Sequence, residues 1–264
     1  MPAISVKNLV KKFGEIEAVN DISFEVEEGD IFAFLGPNGA GKTTTIKILT
    51  TLLRPTSGQV LLNGYDVTEK PDEVRRNFGI VFQDPSLDDE LTAYENMHFH
   101  GVLYKIPPKI RDTRTKELLE IVELWDRKDE YVKNFSGGMK RRLEIARGLL
   151  HHPKILFLDE PTLGLDPQTR NHIWGYIGDL NKKEKITIFF STHIMEEAER
   201  ISNRIAIIDH GKIVAAGTSK ELEQSTKTDS LEEAFLEITG RDIREEHAES
   251  KAEMRMHSRL WTRR

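Results

Sequence analysis

One eight-residue stretch constrains this chain more than any other. GPNGAGKT, Gly36 to Thr43, follows the apolar run IFAFL and precedes the helix-patterned run KTTTIKILTTLL. It fits G-x-x-x-x-G-K-[ST] in the strand-to-helix context that this pattern requires. Gly36, Gly39 and Gly41 tolerate tight turns, so successive backbone N–H groups can point at one anion. The helix that follows adds the positive end of its dipole. Lys42 can reach the β- and γ-phosphates of a nucleotide, and the Thr43 hydroxyl can ligate Mg2+. Asn38 and Thr44 are counted with these nucleotide-binding positions.

The surrounding pattern is α/β. IEAVNDISFEVEEGDIFAFLG alternates polar and apolar residues, then becomes a continuous apolar strand ending at Leu35. KTTTIKILTTLL predicts a helix stopped by Arg54-Pro55, and GQVLLNGYDV a strand and turn. From about Asp84 to Asn134 strand signals give way to charged amphipathic helix patterns such as TKELLEIVELW. After His152-Pro153 strands return as KILFLD and KITIFFSTH, and IAIIDHGKIVAAG predicts a hairpin turning at Asp209-His210-Gly211. Strands alternating with helices imply a mainly parallel sheet with both faces covered. The expected division is one domain over residues 1–240, holding a helical insertion at about 84–140, and a charged tail over 241–264. The tail is expected to be frayed or partly helical.

Composition excludes several classes. The 264 residues are 38% hydrophobic and 31% charged, as in a globular, soluble chain, and no apolar run approaches the length of a membrane span. The start, MPAISVKNLVKKFG, carries no signal-peptide core, so no membrane insertion is expected. There are no cysteines, which removes disulfides and thiolate metal sites. A net charge of −6 argues against a nucleic-acid partner.

A second motif narrows the chemistry. ILFLDE, Ile155 to Glu160, is a buried-type strand ending in two acids. Asp159 suits a Mg2+ contact, and Glu160 suits polarising an attacking water. His193 ends the apolar strand FFSTH. Strand ends of an α/β sheet gather on one edge, so His193 could hydrogen-bond a γ-phosphate beside Lys42 and Glu160. Gln83 follows the strand GIVF where the helical insertion begins. Phe13 in KKFG is either a core aromatic or a platform for adenine. NFSGGMKRRLEIARGLL, from Asn134, places a serine cap before a helix whose Met139, Leu143, Ala146 and Leu150 share one face. Lys140, Arg141 and Arg142 are expected to be solvated or near phosphate.

Taken in order, these motifs resemble the nucleotide-binding subunit of an ATP-binding cassette (ABC) transporter, over Ile4 to about Gly240. GPNGAGKT looks like its Walker A loop, ILFLDE its Walker B motif with catalytic Glu160, and FSGGM its signature. Gln83 matches the Q-loop, Gly164-Leu165-Asp166-Pro167 the D-loop, and His193 the switch histidine. Phe135 and Met139 stand where Leu and Gln are commonest, and the adenine-stacking Phe13 replaces a Tyr. TTLLRPTSGQVLLNGYDV and VFQDPSLDDELTAYEN are similar to the daunorubicin-resistance branch.

The resemblance implies a P-loop NTPase core, an N-terminal antiparallel β subdomain and an inserted α-helical subdomain. It implies ATP and Mg2+ as ligands, with Thr43, Asp159 and Gln83 toward the metal and Glu160, His193 and Gln83 toward catalysis. It also implies a second ATPase subunit, docked head to tail, so that Ser136, Gly137 and Gly138 serve the partner's ATP. A membrane permease of ABC-2 type, usually exporting a drug-like or hydrophobic compound, would hold the chain on the inner face of the cell membrane. A soluble ABC ATPase not dedicated to transport is the alternative; such proteins typically carry a long coiled coil or two cassettes, and this chain has neither.

Overall fold

The computed structural model describes residues 1–240; the expected form of the tail, 241–264, lies outside them. The chain runs β1 (Ile4–Phe13), β2 (Ile16–Val26), β3 (Ile31–Leu35), α1 (Lys42–Leu49), β4 (Ser57–Leu62), β5 (Tyr65–Asp66), α2 (Pro71–Asn77) and β6 (Phe78–Val81). Helices α3 (Ala93–Leu103), α4 (Pro108–Ile121) and α5 (Gly137–Gly148) follow. Then come β7 (Ile155–Asp159), α6 (Pro167–Glu184), β8 (Thr187–Thr192), α7 (Met195–Ile201), β9 (Arg204–Asp209), β10 (Lys212–Gly217), α8 (Ser219–Thr226) and α9 (Leu231–Thr239).

Every residue of β3, β7 and β8 is buried, as expected of strands covered on both faces. They form the centre of a six-stranded sheet ordered β10-β9-β3-β8-β7-β6, parallel except for β10. A four-stranded antiparallel sheet, β2-β1-β4-β5, packs against one face. Between the sheets Phe24, Phe32, Phe34, Phe157 and Phe189 interleave with ring centroids 5.5–6.0 Å apart. Helix α1 adds Ile46, Ile48 and Leu49 to that layer. The other face is covered by helices, with Leu143 and Ala146 of α5, Trp174 of α6 and Ala198 of α7 in one apolar cluster. The P-loop core, the antiparallel β unit and the helices inserted between β6 and β7 agree with the expected fold.

Local detail departs from the pattern in three places. Strand β1 has no counterpart among the predicted strands; its alternation breaks at Asn8, which takes φ 49° and hydrogen-bonds Asp21, itself at φ 52°. Helix α1 stops at Leu49, short of Pro55, because Thr51 turns left-handed at φ 62° and Leu52 N–H closes back on Lys47 O. Helix α4 stops at Ile121 rather than Trp125 by the same device, with Glu123 at φ 56° and Leu124 N–H on Leu119 O. The hairpin is as expected: His210 and Gly211 both have positive φ, the requirement of a tight two-residue turn.

Where α3 meets the end of α5, Tyr104 stacks on His151 at 3.9 Å, and His151 Nε2 lies 2.9 Å from Phe78 O. Burial holds His151 down at about 4 and His100 beside it at about 3, chiefly by desolvating the charged form. Both folded values lie below the unfolded one, so the unfolded chain takes up the protons first as acid is added. The stability present above pH 6.5 is therefore expected to fall progressively from pH 6.5 toward about pH 3. Urea denaturation across that range checks it, and His100→Phe is expected to flatten the slope.

Candidate active site

Parallel register puts the chemistry on one edge. Leu35 lies level with Thr192, and Asp159 with Ser191. The loop at Gly36, Glu160 and His193 therefore leave three adjacent strands at their carboxyl ends, where open α/β sheets bind ligands. Two neighbours pin the loop. Ala40 O accepts from Gly211 N–H at the β9–β10 turn, 3.0 Å away. Gly41 has φ 105°, and a Cβ there would sit 2.5 Å from Ala18 O of β2. Only glycine fits that conformation and that space. Helix α1 starts at the next residue, so its unpaired N–H groups open into the loop.

Lys42 is 5% exposed. Its Nζ donates to Gly36 O at 2.8 Å and Pro37 O at 3.1 Å, and pairs with Glu160 Oε1 at 3.2 Å. Burial pushes its pKa below the ordinary lysine value, with Glu160 and then Asp159 pulling back. Glu160 itself sits at φ 47°, a left-handed conformation that a non-glycine residue holds only under local constraint. The constraint is Ser191, whose Oγ accepts from Glu160 N–H at 3.0 Å and donates to Asp159 Oδ1 at 2.6 Å. One buried hydroxyl thus holds both acids. His193 Nδ1 lies 3.3 Å from Glu160 Oε1, without hydrogen-bond alignment.

Thr43 Oγ1 donates to Asp159 Oδ1 at 3.3 Å. This hydroxyl and carboxylate are hard oxygen donors of the kind Mg2+ takes, and no cluster of three or more His, Asp or Glu that could hold a metal exists among the described residues. The pair fits a cation that completes its shell with phosphate oxygens and water. Gln83 lies on the exposed turn just past β6. Its carbonyl accepts from Arg141 Nη2 at 3.0 Å, and among the described residues its side chain makes no hydrogen bond to Thr43 or Asp159. Phe13 ends β1 beside its partner Ile16, is 39% exposed, and carries Lys11 Nζ 4.9 Å over its ring. It is thus not a core aromatic.

Ser136 caps α5, accepting from Met139 N–H at 3.3 Å. Together with Gly138, Arg142, Gln168, Thr169 and His172 it lines a surface cavity to which the phosphate loop contributes nothing. Gly138 is needed there, since a Cβ would lie 2.5 Å from Thr169 Cγ2. Leu143, Ala146 and Leu150 are buried and Met139 packs beside them, as the spacing predicts. The basic run behaves differently from expectation. Arg141 is buried against backbone carbonyls, Lys140 pairs with Asp89 at 2.7 Å, and Arg142 bonds Val122 O and Glu123. Ser191 and the buried Glu197, which accepts from Thr162 and Thr192, were not singled out from sequence. A hydroxyl inside the apolar run FFSTH was the available signal, because a buried hydroxyl must find partners.

Residues 19–163 match the family described as ABC transporter. The chain is 40% identical to the doxorubicin resistance ATP-binding protein DrrA of Mycobacterium tuberculosis over 245 residues, 92% of this chain and 72% of that one. Among solved structures it resembles the ATP-binding subunit of an ABC transporter, with a TM-score of 0.82, 31% identity, and coverage of 90% of this chain and 100% of that one. It also resembles the dimeric ATP-binding cassette MJ0796 in a post-hydrolysis state with ADP and Pi, with a TM-score of 0.73, 30% identity, and coverage of 81% and 98%.

Proposed function

This chain belongs to the ABC transporter family as an ATP-hydrolysing subunit, and from that premise we propose that it drives an export permease of ABC-2 type by ATP-dependent pairing. One observation carries the catalytic part: Lys42, Glu160 and His193 converge within 3.3 Å on the sheet edge, beside the Thr43–Asp159 pair.

The backbone N–H groups of the loop and of α1 cradle the phosphates, and Gly36, Asn38, Gly39, Gly41 and Thr44 shape that cradle. Lys42 neutralises charge on the β- and γ-phosphates. Thr43 and Asp159, with Gln83 from the turn after β6, would hold Mg2+, which would supply charge neutralisation for the phosphates. Phe13 stacks on the adenine. Glu160 takes a proton from water as the water oxygen bonds to the γ-phosphorus, and the bond from that phosphorus to the bridging oxygen breaks to leave ADP. His193 donates to the γ-phosphate. Ser191 fixes the Glu160 turn, so the base is aimed before the nucleotide arrives.

Ser136 is set apart from this chain's own loop, which supports a role toward a second subunit. The pairing is head to tail: Ser136, Gly137 and Gly138 of one copy, at the N-terminus of α5, face the γ-phosphate held by the other. No described helix is long and apolar enough to cross a membrane. On the proposed reading a permease of ABC-2 type carries the transported compound and holds the chain on the inner face of the cell membrane, as the export-type relatives support. The drug-resistance relative supports a drug-like or hydrophobic cargo.

Mixing two inactive variants tests the pairing. In a dimer of Lys42→Ala with Ser136→Arg, one site carries both lesions and the other carries neither. ATPase activity is therefore expected to recover partially on mixing and to peak near equal amounts. If each chain used its own Ser136, every site would carry one lesion. Absence of recovery with cross-linked mixed dimers present would remove the trans role.

A further inference from the structure

Three charged side chains of α5 point inward and grip one irregular segment. Arg141 is 7% exposed and Glu144 is 1% exposed. Arg141 Nη1 donates to Phe82 O at 2.5 Å and to Glu144 Oε2 at 3.0 Å, while Nη2 donates to Gln83 O at 3.0 Å. Glu144 Oε1 accepts from Ser86 N–H at 2.7 Å and from Ser86 Oγ at 3.1 Å. Arg147 donates to Ser86 O at 2.7 Å and also to Ser86 Oγ. The segment 82–86 is thus tied at both ends to one helix.

Apolar side chains would hold α5 against β6 at lower cost, because burying an ion pair forfeits its hydration. What apolar groups cannot do is fix the carbonyls of a turn in position. A guanidinium can, since its planar fork presents several donors in set directions. Glu144, and after it Asp159 and Asp84, act electrostatically on the Arg141 guanidinium, against the cost of its burial.

We propose that Arg141 is a positioning residue that sets Gln83 against the Thr43–Asp159 pair and couples that setting to Ser136 on the same helix. The inference rests on the reading of Gln83 as a metal contact. It deepens that reading: Ser136 lies five residues before Arg141, about 7.5 Å along the helix. The Ser136 cap and the Gln83 carbonyl are thus held by the same helix.

Binding measurements in a Glu160→Gln background test this without turnover. Gln83→Ala, Arg141→Met, Arg141→Lys and the double variant Gln83→Ala/Arg141→Met are compared. Mn2+ affinity of the ATP complex is read by electron paramagnetic resonance, ATP affinity in EDTA by fluorescence, and backbone exposure by hydrogen exchange. Arg141→Met is expected to weaken Mn2+ about tenfold, as losing a supporting residue of a metal ligand does. ATP affinity in EDTA is expected to stay unchanged. Amides of 83–86 exchange faster while β6 and β7 keep their protection. The double variant binds Mn2+ no more weakly than Gln83→Ala alone, because Arg141 acts through Gln83. Arg141→Lys keeps the charge, loses the fork, and falls between native and Met. Multiplicative losses in the double variant, or native Mn2+ affinity in folded Arg141→Met or Arg141→Lys beside a weakened Gln83→Ala, overturn the proposal. Native Mn2+ affinity in Gln83→Ala instead removes the metal role of Gln83, and the proposal with it.

Discussion

Glu160→Gln is expected to hydrolyse ATP about 10²–10⁴ times more slowly than the native chain, while ATP binding persists. The amide nearly matches the carboxylate in shape and can still accept from Lys42, but it cannot take a proton from water. Asp159 is badly placed to substitute, since Oδ1 already accepts from Ser191 and Thr43. If pairing needs ATP and separation needs hydrolysis, this variant accumulates as an ATP-bound dimer. Phosphate release gives the rate, and gel filtration with ATP and Mg2+ gives the dimer. A native rate in Glu160→Gln would assign the base elsewhere.

Lys42→Ala is expected to abolish hydrolysis and to weaken ATP binding. A charge-assisted hydrogen bond is worth about 1.5–3 kcal/mol, which corresponds to a ten- to hundredfold loss of affinity. The second effect falls on Glu160, whose Oε1, among the described residues, keeps His193 as its one charged neighbour once the ammonium is gone. Without that ion pair the carboxylate loses a contact that holds it in place beside the phosphate loop. Lys42→Ala therefore damages binding and chemistry together, whereas Glu160→Gln damages chemistry alone. Titration with a fluorescent ATP analogue beside the turnover assay separates the two. Near-native turnover in folded Lys42→Ala protein would remove the site assignment.

The two variants mark what a linear pattern can carry. Gly36–Thr43 and Asp159–Glu160 are legible because their chemistry needs neighbours in sequence. Helix ends were not legible. Thr51, Lys105, Glu123 and Lys227 take φ of 56–62°, and each precedes an N–H that closes six-residue caps on Lys47, Gly101, Leu119 and Glu223. None is the glycine that usually announces such an end. The position is tolerated because the backbone hydrogen bonds that close each cap are made. The burial of Arg141, expected to be solvated or near phosphate, is hidden from the sequence for a related reason. Spacing tells which side of α5 faces inward, but not that backbone carbonyls of 82–83 wait there. Ser191 was missed because its partners, Asp159 and Glu160, come from another strand 31–32 residues away.

The phosphate loop touches both sheets, through Ala18 of β2 and Gly211 of the β9–β10 turn. A bound nucleotide is thus a component of the joint between them, and its binding energy adds to the cohesion of the whole fold. At a hundred times its dissociation constant a ligand adds about 2.7 kcal/mol, against about 5–15 kcal/mol for a domain's entire net stability. Copies emptied after each cycle are therefore expected to open more often than nucleotide-bound ones and to be cut sooner by an added protease, which limited proteolysis with and without ATP reads.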